Sequence, residues 1–287
     1  MPFSKDLLIG ASGNQSSDLY SHQIQHSVRL DRSTTSNGGT NGSGLYRDQG
    51  DIPTPTNSKK FTFSTWIRKH SANLDFDQIL LFAIVSSAGK NIYIDSTTDS
   101  KNDVISCGEF GSSAYQYDAV LRDTSAWYHL VFIWDTTQST QADRQKFYIN
   151  GTQQDVGDTR NNWSLNENVH WNEAISHNAG YSIGYNAFGH TEGNSYGCYA
   201  SLAETIGIDG QDVSISDLGE TKSDPDGNSV WIPKDPSGLT FGNNGYHLKY
   251  ENASDLGNDS SGNNNDFNST NLGADHQSLD SPTFGGD

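Results

Sequence analysis

Carboxylate and amide side chains crowd one glycine-containing run near the end of the sequence, DSSGNNND at residues 259–266. Hard oxygen ligands on such a loop suit Ca²⁺, which accepts about 6 to 8 of them. The run therefore offers a candidate structural Ca²⁺ site made of Asp259, Asn263, Asn265 and Asp266. The ligand spacing of an EF-hand is absent. The alternative is that these side chains satisfy their own turns, the commoner role of Asx-rich loops.

Aromatic side chains stand among Asn and Ser in two polar stretches, 161–171 and 186–199, the second directly after Tyr185. Aromatic faces pack on sugar rings, and amide groups can bond ring hydroxyls. The stretches predict a glycan site built from Trp163, Trp171, Tyr185, Asn194 and Tyr196. The alternative, which is more frequent for such residues, places both Trp rings at the edge of the core.

Catalytic patterns are weak in this sequence. Glu204 lies within an apolar run, where a carboxylate most often faces solvent and only sometimes acts as a cation ligand or an acid. Retaining glycosidases need two carboxyls that face each other, but Glu204 and Asp209 are spaced for opposite faces of a regular strand. The sequence also lacks a nucleophile elbow, a P-loop and metal-ligand spacing among its nine His and two Cys. A pair from different strands stays open, but a non-enzymatic protein is favoured.

The overall charge disfavours several classes of binding partner. Lys plus Arg number 17 against 35 Asp plus Glu, a net charge of −18, so nucleic acid and membrane insertion are disfavoured, and neutral or cationic glycans are favoured over anionic ones. No apolar run reaches the ~20 residues of a membrane span, and the first residues do not read as a signal peptide. Cys107 and Cys198 could form one bridge, but two buried thiols are the favoured interpretation.

The elements that must position these residues are strands. Trp127 to Trp134 is apolar on both faces, which predicts a central strand, and 146–150 predicts its hairpin partner, ending at Asn150-Gly151. Helical periodicity is confined to one turn, Ser214 to Leu218, with Gly219 as terminator. Further strands are expected at 27–31, 44–46, 61–69, 78–85, 91–95, 103–107, 119–122, 181–185, 199–208 and 245–250. The sequence thus predicts an all-β antiparallel sandwich or barrel with almost no helix.

Three segments divide the chain. Residues 1–25 are expected to form an N-terminal arm with one apolar cluster, Leu7 to Ile9, suited to attachment or to contact between copies. Residues 26–220 are expected to form the sandwich. Residues 221–287 are expected to hold an extended connection around Trp231, a closing strand at about 245–250 and a polar tail packed on the same sandwich.

Five motifs in order resemble a known family: SVRLDRS, FTFSTWIRK, WYHLVFIWD with FYINGT, YSIGY, and YASLAETIGIDGQDVSISDLGE. They are similar to the laminin-G-like domains of the concanavalin A-like lectin and glucanase superfamily. The resemblance covers roughly residues 27–220 and implies a jelly-roll sandwich of two antiparallel sheets. It also raises the expectation of a structural Ca²⁺, which the family often carries.

Nearly the whole chain resembles laminin-G-like proteins of bacteriophages, especially marine ones, through MPFSKDLLIGASG, IDGQDVSISDLGET, WIPK and GYHLKYENASDLGNDSSGNNNDF. This resemblance implies a virion structural protein, a fibre or a capsid or tail decoration, made in the host cytoplasm and exposed on the virion surface. The implied partners are other virion proteins, further copies of the chain and host-surface glycans. A glycan hydrolase acting on host polysaccharide, or a purely architectural protein without ligand, are the alternatives.

The order of one motif differs from the family. The HLKY strand and its DSSGNNN loop open many laminin-G-like domains, but here they come last. We expect a permuted closure in which the last strand pairs beside the strand that begins at Ser27, covering an edge that would otherwise promote aggregation.

Overall fold

The apolar runs of the sequence become antiparallel strands in the computed structural model of the chain, which describes residues 19–31, 42–71, 78–85, 88–95, 104–109, 113–155, 163–172, 181–185, 197–224 and 226–284. Within these residues the strands are β1 (Ser27–Leu30), β2 (Gly44–Arg47), β3 (Lys60–Lys69), β4 (Gln78–Val85), β5 (Ala88–Asp95), β6 (Val104–Glu109), β7 (Ser113–Val120), β8 (Tyr128–Asp135), β9 (Gln145–Ile149), β10 (Thr152–Gln153), β11 (Tyr181–Ile183), β12 (Ala200–Asp209), β13 (Gly219–Ser223), β14 (Ser229–Pro233), β15 (Tyr246–Leu248), β16 (Asn268–Thr270) and β17 (Gln277–Ser278). The described residues also contain an α-helical turn, α1 (Ile215–Leu218). Their 3₁₀ turns lie at Gln49–Asp51, Gln141–Asp143, His170–Asn172, Pro236–Gly238 and Ala274–His276.

Two antiparallel sheets form a sandwich. In the first sheet the described strands follow the order β10-β9-β8-β3-β12-β1-β17, and in the second the order β16-β2-β11-β4-β5-β6-β7. β8 lies between β3 and β9, as expected for a strand that is apolar on both faces. The prediction of an all-β antiparallel sandwich with almost no helix is confirmed.

The core lies between the sheets and is rich in aromatic rings. Because side chains alternate along a strand, Leu130, Phe132 and Trp134 of β8 all enter the core cluster. Phe132 stacks on Phe147 of β9 with ring centroids 4.3 Å apart. Large flat side chains bury much apolar area each, which compensates for a hydrophobic content of only 32%.

The outer face of the first sheet is covered by a third layer. One apolar cluster joins this face to residues 211–241 and contains Val131, Ile206, Ile208, Leu218 and Phe241. A second joins it to residues 19–26, hereafter the N-terminal segment, and contains Ile24, Trp66 and Ala203. This sheet is therefore buried on both faces over much of its area.

Part of that third layer is a hairpin where we expected an extended connection. β13 and β14 pair from Gly219 to Pro233. Trp231 packs on Gly151 and Gly219, where an added Cβ would approach the indole to 2.4 Å and 2.3 Å. The expectation was wrong because Trp231 obtains its packing surface from a glycine 80 positions earlier in the sequence, at the tip of another hairpin.

Three other local expectations were wrong. β15 pairs with β12 at residues 205–207, whereas β17 takes the position beside β1. The expected pairing of the closing strand with β1 is wrong, because β12 extends beyond β1 and offers β15 an edge of its own. The expected helical turn is present as α1, with Ser214 as its N-cap, but Gly219 is extended (φ −166°) and opens β13. The strand expected at 119–122 instead begins at Ser113 and ends at Val120.

Candidate functional site

An irregularity in β12 places Glu204. The register between β12 and β3 shifts between Ala203 and Ile206, so two residues of β12 oppose one of β3, which defines a β-bulge. Glu204 adopts φ 44°, a left-handed conformation that costs free energy for a residue with a side chain. Bulges often re-aim a side chain, and strained residues often mark functional positions.

Two histidines meet the Glu204 carboxylate. His22 Nε2 lies 2.6 Å from Glu204 Oε1 in a hydrogen bond, and His247 Nε2 lies 3.4 Å from the same oxygen, a longer electrostatic contact. β1 pairs with β12 up to Leu202, and β15 pairs with it only from Thr205. The ladder on this edge is therefore interrupted at Glu204. Glu204 is 6% exposed, so the expectation of a solvated carboxylate is wrong.

The environment favours the charged forms of both partners. Burial alone would raise the pKa of Glu204, but the hydrogen bond and charge of His22, together with His247, lower it. Burial also opposes a charge on His22, but the hydrogen bond and charge of Glu204 outweigh it and raise the pKa of His22. The pair is therefore an imidazolium and a carboxylate over the range between the two pKa values.

A Ser–His pair lies on the same face but is not arranged for nucleophilic catalysis. Ser64 Oγ lies 2.8 Å from His129 Nε2, and Trp231 Nε1 donates to His129 Nδ1 at 3.0 Å. An indole N–H can only donate, so Nδ1 must accept and the neutral ring carries its proton on Nε2. Burial lowers the pKa of His129 to about 3. His129 therefore donates to Ser64 and cannot take its proton.

Paired carboxylates of the glucanase kind are not formed by Glu204 and Asp209. Asp209 accepts from Thr56 N at 2.6 Å, Asn244 N at 3.0 Å and Asn172 Nδ2 at 2.6 Å. It anchors loops at the end of the sandwich, while Glu204 contacts the third layer. Within the described residues no group of three His, Cys, Asp or Glu could hold a metal ion.

Trp163, Trp171 and Tyr185, the predicted glycan residues that the structure describes, do not come together in one place. Trp171 is 1% exposed and Trp163 8%, both within the core cluster. Trp171 packs on Trp134 with centroids 4.5 Å apart, and Trp163 Nε1 donates to Gln145 Oε1 at 2.5 Å. The expectation of a sugar-stacking platform made of these two rings is corrected: they complete the edge of the core, because Trp171 packs on Trp134 and Trp163 lies beside Trp171.

The remaining predicted residues lie elsewhere. Tyr185 follows β11 at the opposite end of the strands, where it packs on Gly44 and its hydroxyl lies 3.3 Å from Thr270 Oγ1. Burial raises the pKa of Tyr185 to about 12. Asn194 and Tyr196 lie outside the described residues, as does the cluster Leu7 to Ile9.

The stretch around Trp163 nevertheless presents a well-defined surface loop, residues 163–170. Ser164 N donates to Glu167 Oε2 at 2.7 Å, and Asn166 N donates to Thr136 O at 2.8 Å. At its tip Leu165 is 54% exposed. The His170 ring lies over Trp163 with centroids 5.0 Å apart. A rigid loop that presents exposed apolar and polar groups is a common binding element.

The candidate Ca²⁺ loop is filled by its own hydrogen bonds. Asp259 Oδ1 accepts from His247 N and Ser261 N, each at 2.8 Å, and Oδ2 accepts from Asn265 N at 2.9 Å and from the Ser261 hydroxyl at 2.7 Å. Arg47 donates to Asn265 Oδ1 at 3.0 Å, so a cation already contacts this amide. Asn263 turns its amide toward Gly242 O and Gly245 O, and Asp266 Oδ1 accepts from Asp259 N. The arrangement fits Asx turns, the alternative that the sequence analysis left open.

His22 and His247 were missed by sequence reasoning. The signal available was Glu204 itself, a carboxylate within an apolar run, which requires a partner if it is buried. The two histidines are 182 and 43 positions away, so nothing local identifies them. Cys107 and Cys198 are buried thiols, as the favoured interpretation expected, and burial raises the pKa of Cys198 to about 12.

Within the described ranges no helix is long and apolar enough to cross a membrane.

Comparisons with known proteins identify similar folds. No curated protein matches the chain. A protein of Bacteroides ovatus ATCC 8483, provisionally named carbohydrate binding, aligns with a TM-score of 0.51 and 15% identity over 87% of this chain and 58% of that one. This chain thus spans less than two thirds of that protein.

Two further solved structures align more weakly. The heptameric SAP-like pentraxin of Limulus polyphemus has a TM-score of 0.39 and 12% identity over 68% of this chain and 81% of that one. Domain 4 of the extracellular arabinanase AbnA of Geobacillus stearothermophilus aligns with a TM-score of 0.34 and 15% identity over 60% of this chain and 73% of that one.

A family model described as the concanavalin A-like lectin/glucanases superfamily, of the laminin G type, matches residues 40–187, slightly more than half of the chain. This span includes strands of both sheets, from β2 to β11. The chain therefore belongs to the concanavalin A-like lectin/glucanases superfamily.

Proposed function

We propose that the chain is a non-enzymatic carbohydrate-binding protein that serves as a structural component on the surface of a bacteriophage virion. Membership of a lectin-containing superfamily supports the binding role, as does the provisional name of the Bacteroides ovatus protein. Resemblance of the opening, IDGQDVSISDLGET and closing runs to phage proteins supports the virion role. The partners would be other virion proteins and a host-surface glycan.

The environment of Glu204 is the observation that carries the non-enzymatic assignment. A glycosidase acid must reach the scissile bond beside a second carboxyl. Glu204 is instead 6% exposed, bonded to His22 and placed beneath the N-terminal segment. Its nearest acid along the strand, Asp209, is held by the amides of Thr56 and Asn244.

The loop 163–170 is the described surface that best suits a glycan. It is held by backbone hydrogen bonds to Thr136 and Ser58, so binding would order little additional chain. Leu165 offers an exposed apolar contact, and His170 offers a half-buried aromatic ring in the same loop. Because the net charge is −18, neutral or cationic glycans are the expected ligands.

A glycan array with the full chain in multivalent display, with and without Ca²⁺, tests the binding role. We expect binding that Leu165→Ala and His170→Ala weaken. Leu279→Ala is the matched control, since Leu279 is also exposed, at 67%, but lies outside the loop. A folded sample that binds nothing would favour the architectural alternative. Release of reducing ends from host polysaccharide would contradict the non-enzymatic assignment.

Mass spectrometry of purified phage particles tests the virion role. We expect peptides of the chain in particles, in proportion to other structural proteins. Their absence from particles of a phage that encodes the chain would contradict this part of the proposal and leave the glycan test unaffected.

A further inference from the structure

The N-terminal segment lies across the outer face of the first sheet and is held there by two kinds of contact. Ile24 packs with Trp66 and Ala203. Ile24 N donates to Thr283 Oγ1 at 2.9 Å, and the Ser281 hydroxyl donates to Ile24 O at 2.5 Å. These contacts are apolar or neutral, so they do not change near neutral pH.

The second kind of contact is charged and lies two residues earlier, at His22. Its Nε2 is 2.6 Å from Glu204 Oε1. The bulge fixes Glu204 independently of the segment, because both flanking parts of β12 are paired with β3. If the segment left, the carboxylate would lose its hydrogen bond to His22 and keep only the longer contact with His247, whose Nε2 is 3.4 Å away. Hydrogen bonds between charged groups are stronger than neutral ones, and this favours the seated segment while His22 is charged.

The groups that face this pair come from every neighbouring element. His247 and Lys249 lie on and just after β15, and Asp235 precedes the 3₁₀ turn Pro236–Gly238. His129 of β8 also experiences the charge of Glu204. The adjacent Ser21 donates to Glu220 of β13 at 2.8 Å. Lys249 opposes a charge on His22, while Asp235 and Glu204 favour it.

We propose that the His22–Glu204 contact makes the seating of the N-terminal segment on the sandwich dependent on pH, so that the segment is held firmly in mildly acidic solution and loosens as the pH rises. The segment connects the sandwich to residues 1–18. The contact would therefore control how rigidly those residues are joined to the sandwich.

The direction of this pH dependence follows from the pKa shifts of His22 and Glu204. His22 has a raised pKa in the folded chain, so its contribution is complete below its ordinary value of about 6.5 and is lost as the pH rises through the folded pKa. Glu204 has a lowered pKa, so its contribution is lost only when the pH falls through that lower value. The contact is strongest between these two limits.

Hydrogen exchange of the full chain, measured by NMR from pH 5.5 to 8.5 and corrected for intrinsic rates, tests the proposal at the Ile24 amide. We expect its protection factor to fall as the pH rises, by about tenfold for each unit that binding to Glu204 displaces the pKa of His22. The Val131 amide in β8 serves as the internal reference, with no comparable change.

His22→Gln, which keeps a hydrogen-bonding side chain but cannot be charged, should remove the pH dependence at Ile24. His26→Gln is the matched control in the same segment and should retain it. A direct titration of the His22 ring by NMR in the unaltered chain provides a second measurement. An Ile24 protection factor that is independent of pH, or a His22→Gln profile that matches the unaltered chain, would overturn the proposal.

Discussion

Trp171 shows at the residue scale how the core and the predicted glycan site compete for the same side chain. Its ring is 1% exposed and packs on Trp134. We expect Trp171→Ala to lower the free energy of unfolding by about 3–5 kcal/mol, the usual cost of removing a buried aromatic ring. Urea unfolding followed by tryptophan fluorescence and circular dichroism measures the loss.

Two matched variants separate packing from other effects. The Trp171 Nε1 lacks a hydrogen-bond partner in the structure's described part, so Trp171→Phe should cost clearly less than the Ala variant. Leu165→Ala, at an exposed position of the neighbouring loop, should change stability by less than about 0.5 kcal/mol. A Trp171→Ala protein as stable as the unaltered chain would show that the ring is not part of the core.

Glu204 determines part of the acid sensitivity of the fold. Its pKa is lowered in the folded chain from an ordinary 4.5, so its contribution to stability is present above that value and is lost as the pH falls through the folded pKa. We expect unfolding midpoints in urea between pH 6 and 3 to fall less steeply for Glu204→Gln than for the unaltered chain. Glu251→Gln, at an exposed acid, should change the slope little. Parallel slopes for Glu204→Gln and the unaltered chain would contradict the assignment.

At the scale of elements, the closing segment 245–270 supplies core that the preceding chain lacks. Five of its side chains belong to the main core cluster: Tyr246, Leu248, Tyr250, Leu256 and Phe267. We expect deletion of 245–270 to yield insoluble or unfolded protein, as judged by size-exclusion chromatography and circular dichroism. Asp255→Ala, in the exposed turn of the same segment, should behave as the unaltered chain. A truncated chain that stays folded and monodisperse would refute this role.

The loop 259–266 acts as a hydrogen-bonded clasp between β15 and β16. Because the Asp259 carboxylate is occupied by protein donors, we expect the melting temperature to be the same in Ca²⁺ and in a chelator. A Ca²⁺-dependent rise in the melting temperature would reveal binding to the folded state and would confirm the calcium prediction. Asp259→Ala should destabilise the chain by at least about 1.5 kcal/mol, since hydrogen bonds to a charged group are lost.

At the scale of the whole molecule, the proposed virion role predicts that the full chain self-associates, because oligomers of identical chains are commonly symmetric. The net charge of −18 opposes association at low salt, because like charges repel and salt screens them. Light scattering at 50 and 500 mM salt, over a range of protein concentrations, should therefore show larger species at the higher salt. A monomer under all these conditions would argue against self-association.

The strand pattern was readable from sequence because alternation is a local property of the backbone. Phe61 to Lys69 and Trp127 to Trp134 each carry their own periodicity, and both became strands of the first sheet. Ser214 to Leu218 carried its own cap and became α1. Short antiparallel strands with apolar faces must pack on one another, which left a sandwich or a barrel open, and the resemblance to laminin-G-like domains implied the two sheets.

Only the tertiary structure decided which strands pair at the closing edge, which rings are buried and where Glu204 finds its partners. β15 and β1 share one edge of β12, and that division depends on the length of β12 and on its bulge, not on either short strand. The polar stretch around Trp171 is compatible with an exposed ring, and only the fold brings the Trp134 ring to within 4.5 Å of it, centroid to centroid. His22 reaches Glu204 across 182 residues of sequence. Such contacts are non-local, and the pattern around a single residue does not contain the identity of the side chain that folding will bring beside it.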